Sequence, residues 1–214
     1  GLPIHEATAT ALFTFAFTGL AGTWMFLRRG SISWRLTIPV CSGAVLFSYV
    51  GAWVNSLIGT VALATVIAVI IVATGAYILV SPQRADRSLL AGDTRAQQAT
   101  LAAVGAVSGF GSGLSGAGGP LFSVPIMVML GFVPLASIGT SQVLQIIAAT
   151  SGSIGNLQFG RIDFSVAWWI TLAELVGVLL GVRLAHAVST RVLRNMAATL
   201  CVAVGAFMLV RTLG

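Results

Sequence analysis

Gly111-Ser112-Gly113-Leu114-Ser115-Gly116-Ala117-Gly118-Gly119-Pro120 interrupts a run that is otherwise apolar from 97 to 131. The flanking pieces, about 97–110 and 120–131, are each too short to cross a ~30 Å hydrocarbon core at ~1.5 Å per helical residue. They form either one broken crossing or a re-entrant hairpin. Both place irregular backbone at membrane depth, which is tolerated only inside protein or beside a water-filled cavity. Pro120 suits the first turn of a helix, where no N–H is missed. The glycines before it leave backbone N–H groups at a helix N-terminus, where successive amides can cradle an anion. The competing reading makes these glycines helix-packing residues only.

Composition places that run in a bilayer. Of 214 residues, 57% are hydrophobic and only 7% charged, against about 25% charged in a soluble domain. Apolar spans near 7–27, 36–57 and 60–80 precede the glycine segment, and spans near 134–157, 164–185 and 192–213 follow it. A soluble enzyme, a nucleic-acid binder and a disulfide scaffold are excluded together. The net charge of +6 comes from 11 basic residues, every one an arginine, scattered between spans as topology determinants and lipid contacts. Without a lysine no Walker-type nucleotide loop exists, and no cofactor or metal is called for. Cys41 and Cys201 lie inside apolar runs and read as plain buried thiols.

The chain repeats itself at an offset of 130 residues: Gly75-Ala76-Tyr77-Ile78-Leu79-Val80 recurs as Gly205-Ala206-Phe207-Met208-Leu209-Val210, and Thr10, Gly22, Gly51 and Thr60 recur as Thr140, Gly152, Gly181 and Thr190. The expected organisation is a first repeat, 1–80, a cytoplasmic linker loop, 81–96, and a second repeat, 97–214. Residues 97–130 have no partner, so a segment of roughly 30 residues like them is expected to precede Gly1. Such repeats are usual in secondary transporters, with the substrate between the halves. A single crossing at 97–131 divides the loop arginines 8 to 3; a hairpin divides them 9 to 2, slightly favouring inverted repeats.

Candidate site residues follow from the glycine segment and its surroundings. Ser112, Ser115, Gly116, Ala117, Gly118 and Gly119 supply amides and hydroxyls for an oxyanion. Thr140, Ser141 and Gln142 open the next span, with Gln145 a turn on, and Thr10 is the repeat counterpart of Thr140. Glu174 lies mid-span, where an ionisable group is costly and functional by default, and is read as the proton-coupling residue. Ala173, Gly177 and Gly181 line the adjoining face, which is expected to pack on another helix. His5 and Glu6 read as interfacial. Gly113-Leu114-Ser115-Gly116 also fits the G-x-S-G pattern of rhomboid intramembrane proteases, with His186 as the histidine available; the glycine pattern that follows that histidine in rhomboids is absent here.

With the glycine segment, Pro125, Gly139-Thr140-Ser141 and Gly160-Arg161-Ile162-Asp163 in view, the chain resembles the TauE/SafE family of sulfite and organosulfonate exporters. His5-Glu6-Ala7-Thr8-Ala9-Thr10 and Arg28 to Arg35 carry the same pattern in the first half. Ser115-Gly116-Ala117-Gly118-Gly119 departs from the family's usual run of three glycines. The resemblance implies export of a small sulfur oxyanion across the bacterial cytoplasmic membrane. The expectation is therefore an all-α polytopic transporter, not an enzyme, with a small anion and the lipid bilayer as partners and a homodimer allowed. A passive anion channel is the alternative.

Overall fold

The computed structural model describes residues 4–57, 60–80, 94–116, 118–159 and 162–213. The described residues form eight helices and no strand: α1 (Ile4–Arg28), α2 (Trp34–Leu57), α3 (Thr60–Val80), α4 (Thr94–Ser115), α5 (Pro120–Met129), α6 (Pro134–Phe159), α7 (Phe164–Ala187) and α8 (Thr190–Leu213). Four of them, over Glu6–Arg28, Trp34–Leu57, Phe164–Ala187 and Thr190–Arg211, are long and apolar enough to cross a membrane. Their outward faces are apolar too, with Ile38, Leu180 and Val210 exposed, as lipid contact requires. The chain is a multi-pass membrane protein.

The interrupted segment resolves differently from its sequence reading. The helix does not stop near 110; α4 runs on through the glycines to Ser115, 22 residues in all. Gly105, Gly109 and Gly113 recur every fourth residue and press against α2. An added Cβ at Gly105 would run into the carbonyl of Val40, one at Gly109 would stand 2.8 Å from Cα of Ala44, and one at Gly113 would run into the carbonyl of Ser48. Gly43 and Gly51 of α2 answer in kind against the carbonyls of Ala102 and Phe110. Small residues on both surfaces let two backbones touch, and this contact holds α4 helical where hydropathy alone suggests a break. Asn55 of α2 donates to the carbonyl of Leu114 near the end of α4.

After the turn at 116–119, α5 folds back along α4. Phe122 at its start packs with Leu114, and Met127 near its end packs with Leu101 and Val104. The segment is therefore a hairpin with a long outgoing and a short returning arm, not one broken crossing. α4 also begins at Thr94, inside the expected 81–96 loop; residues 81–93 lie outside the described residues.

Paired contacts fix the other directions. α2 and α6 run parallel, with Thr37 bonded to Thr140 and Ser48 to the carbonyl of Ala148. α1 and α6 run antiparallel: a Cβ on Gly22 would meet Gln142, and one on Gly152 would meet Leu12. α3 and α8 are antiparallel in the same way, Gly75 facing Val202 and Gly205 facing Val72. The helices α6, α7 and α8 start at residues 134, 164 and 190, each 130 positions after the starts of α1, α2 and α3 at 4, 34 and 60.

Candidate functional site

The site grows from the end of α4. Gly116 ends the helix with φ +65°, and its N–H donates to the carbonyl of Ser112 at 2.8 Å, a left-handed cap that glycine adopts without steric cost. Gly118 has φ +78°. Pro120 then opens α5, and the carbonyl of Gly119 accepts from the N–H groups of Phe122 and Ser123. Ala117 lies outside the described residues.

This turn is clasped inside the bundle, with Gly116, Gly118 and Gly119 all buried. A Cβ on Gly116 would stand 2.5 Å from the methyl of Thr8 on α1, one on Gly118 would stand 3.2 Å from the Phe15 ring, and one on Gly119 would stand 3.0 Å from Leu144 on α6. The turn thus sits between α1 and α6, the two helices that cross the bundle centre in opposite senses.

Hydroxyls and amides gather around it. Ser112 is fully buried and its hydroxyl has no protein partner; Ser108, one turn earlier on the same helix, is in the same state. A buried polar group without a partner costs about 1–3 kcal/mol, so Ser112, one turn before Gly116, marks a place built for something polar; Ser108 lies two turns before it. The Ser115 hydroxyl is engaged with the carbonyl of Gly111 at 2.6 Å. Ser141 bonds Ser123 of α5 at 2.6 Å, and Thr140 bonds Thr37 of α2 at 3.1 Å. Gln145 follows Leu144, donating to the Thr18 hydroxyl at 2.7 Å and the Phe15 carbonyl at 3.2 Å. Gln142 lies apart from them, beside Gly22 and along an apolar groove between α5, α7 and α8. Thr10 also turns away, accepting from the backbone N–H of Asp163 at 3.0 Å. The structure therefore brings Ser112 and the three described glycines together with Gln145, while Thr10 and Gln142 lie on other contacts.

Glu174 projects from α7 toward α1. Its carboxyl meets the Thr14 hydroxyl, and its second oxygen is buried without a partner. Thr14 also lies 2.8 Å from the carbonyl of Ala11. One hydroxyl carries one proton, so Thr14 donates to Ala11 or to Glu174, never to both. The next residue along α1 is Phe15, whose ring covers Gly118. Thr14 and Thr18 are both buried on α1, and their four-residue spacing within an apolar helix is the sequence signal that marks this lining.

Asp163 caps α7 from the connection before it. Its carboxylate accepts from the Ser165 hydroxyl and from the N–H groups of Ser165 and Val166. The Ser165 hydroxyl and then the Val166 amide hold its pKa below the ordinary value.

Ser115 and His186 are not brought together. His186 bonds Ser31 at 2.9 Å and the carbonyl of Val182 at 2.8 Å, at the end of the bundle where α2 begins. Ser115 lies at the opposite end of α4, beside the far part of α2. The protease pairing has no geometry here. The face of Ala173, Gly177 and Gly181 does not pack as expected either: no atom lies within 4 Å of a Cβ added at Gly177 or Gly181.

A bundle of apolar helices with a hairpin turn and an unpartnered serine enclosed in it, and a half-buried carboxyl on α7 facing α1, is the build of a membrane transporter. The sequence model described as "Sulfite exporter TauE/SafE" matches residues 1–208, and the chain belongs to that family. It is 28% identical over 201 residues to the probable membrane transporter protein YdhB of Bacillus subtilis, covering 91% of this chain and 80% of that one. A probable membrane transporter protein of Methanocaldococcus jannaschii is 25% identical, covering 98% of this chain and 81% of its own. YunE of Bacillus subtilis, also a probable membrane transporter protein, is 24% identical over 86% and 72%. No solved structure matches the chain.

Proposed function

We propose that this transporter exports a small sulfur oxyanion, sulfite or an organosulfonate, by alternating access of two inverted halves about the glycine turn. The substrate class comes from the family's description. The observation that carries the mechanism is the reciprocity of the contacts. Gly22 faces Gln142, and 130 positions on in each direction Leu12 faces Gly152; Gly75 faces Val202 as Val72 faces Gly205. Thr14 and Glu174 have as counterparts Leu144 and Ala44, which share one apolar cluster. Exchange of this kind between antiparallel helices is what a two-fold axis in the membrane plane produces. In this reading 1–80 and 97–214 are the repeats and 81–96 joins them on the cytoplasmic side. The described arginines agree: Arg28, Arg29, Arg35, Arg95, Arg183, Arg191 and Arg194 lie toward one end of the bundle, and Arg211 toward the other.

The anion would be held at the turn by the Ser112 hydroxyl and the amides that open α5, where the helix end carries about half a positive charge. Each hydrogen bond to a charged oxygen contributes about 1.5–3 kcal/mol. Glu174 would carry the coupling proton, with Thr14 switching its own proton between Ala11 and the carboxyl.

Transport into proteoliposomes tests the reading. With labelled sulfite, an imposed pH gradient should drive accumulation above the external concentration. Equilibration without accumulation identifies a passive channel, and no uptake of sulfite or organosulfonate removes the substrate class.

A further inference from the structure

One face of α6 carries a polar stripe through the bundle interior. Gln142, Gln145, Ala149, Ser153 and Asn156 follow one another at three- and four-residue steps, the spacing that keeps side chains on one side of a helix. Gln142 and Gln145 show where that side points, since they meet Gly22 and Thr18 of α1. Ser153 and Asn156 are each only 6% exposed. The Ser153 hydroxyl and the Asn156 side-chain nitrogen have no hydrogen-bond partner in the protein. The antiparallel register of α1 and α6, with Gly22 at Gln142 and Leu12 at Gly152, sets Thr8 level with Asn156. Thr8 is the residue that a Cβ on Gly116 would strike, and Gln145 lies beside Gly119. The stripe therefore runs along the glycine turn, from Gln145 at its Gly119 end to Asn156 at its Gly116 end, ~16 Å at ~1.5 Å per residue. Gly116 has already given its own N–H to the carbonyl of Ser112, and α6 supplies open donors at this end instead. The residues 130 positions before Ser153 and Asn156 are Thr23 and Phe26. Phe26 is fully buried in a cluster with Val182, Ala185 and Leu193, so the amide belongs to one end of the bundle only.

We propose that Ser153 and Asn156 form a second station for the transported oxyanion, at the outward end of the glycine turn. The Asn156 amide brings two N–H groups and Ser153 one O–H. Sulfite and a sulfonate each present three oxygens that accept, which matches those donors. Open donors in an apolar bundle are costly unless something accepts from them. Both side chains are neutral, so the station needs no ion pair to hold the anion and none has to break on release. The inference rests on the proposed anion transport and adds a step to it: the anion passes from Ser112 and the turn amides to α6 before it leaves.

The test uses the full protein, with labelled sulfite uptake in proteoliposomes and with sulfite titration and melting in detergent. Asn156→Leu removes the donors at similar volume and should slow uptake about tenfold or more. Its sulfite affinity should stay within about threefold, because the turn that binds the resting anion is intact. Ser153→Ala should slow uptake less, since one donor of three is lost. Asn156→Asp keeps the shape but sets a carboxylate against the anion, and should slow uptake at least as much as Asn156→Leu. Melting temperatures of Asn156→Leu and Ser153→Ala should be unchanged or higher, as neither removes a hydrogen bond within the protein. Uptake near the wild-type rate in Asn156→Leu, or in Asn156→Asp, overturns the station. Slow uptake that tracks a lowered melting temperature in both makes the position a packing residue and also overturns it. Affinity lost in Asn156→Leu as fully as in Ser112→Ala would merge the two places into one site and overturn a second station. A wild type that takes up no sulfite or organosulfonate removes the transport reading and this inference with it; unchanged variants of an active wild type remove the inference alone.

Discussion

α2 and α7 begin 130 residues apart, and glycines at matching positions of the two helices meet different surroundings. Gly51 of α2 lies against the backbone of α4, while Gly181, its counterpart, has open space. Ser48, Gly51, Ala52 and Asn55 all touch α4; of the residues 130 further on, Val182 and Ala185 are buried with Phe26 and Leu193, while Val178 and Gly181 line a groove of about 960 Å³. Glycine on a membrane helix has no fixed meaning: it is a packing residue where a partner backbone arrives and an unfilled contact where none does.

The contrast predicts its largest effect at that pair. Gly51→Leu drives a side chain into the α4 backbone and should destabilise the fold by about 3 kcal/mol or more, seen as loss of monodisperse protein in detergent. Gly181→Leu should purify and melt like the wild type. Equal damage from both would show that the α7 face is covered in the assembled protein.

A second, smaller contrast sets Glu174 against Ala44, its counterpart in the apolar cluster. Glu174→Gln should insert and fold normally but lose the pH-driven part of transport, at least tenfold, in the proteoliposome assay. An unchanged pH response would make Glu174 a structural acceptor for Thr14.

The third concerns the caps. Asp163 opens α7 where Ser33, 130 residues earlier, opens α2. The Asp163 carboxylate is held below its ordinary pKa, first by the Ser165 hydroxyl, so its stabilisation is present above the unfolded value of about 3.9 and fades as pH falls through the lower folded value. Asp163→Ala should lower the melting temperature by a few degrees at pH 7 and by progressively less as the pH falls below about 3.9. A difference that stays constant with pH would mean the carboxylate does not act as the cap.

The membrane class, the span positions and the glycine turn were legible in the sequence because hydropathy and Gly/Pro chemistry report them locally. The choice between a crossing and a hairpin was not. It depends on Gly105, Gly109 and Gly113 finding α2, a contact between distant segments that hydropathy does not contain. The site was half legible. Ser112, Gly118 and Gly119 follow from the turn, but the direction of the Thr10 and Gln142 side chains is set by helix rotation, which the weak amphipathicity of an almost wholly apolar helix leaves undetermined.

The central claim, that the glycine turn holds the anion, is tested most directly at Ser112. Its hydroxyl is buried and unpartnered, so Ser112→Ala removes no hydrogen bond within the protein. Sulfite titration by calorimetry and thermal melting should be run on the wild type, Ser112→Ala and Gly118→Val. The account predicts at least tenfold weaker sulfite binding by Ser112→Ala at an unchanged or slightly raised melting temperature, and still weaker binding by Gly118→Val, whose backbone is also strained. Wild-type affinity in Ser112→Ala, with only Gly118→Val affected and in step with its lost stability, would contradict it and leave the turn as packing alone.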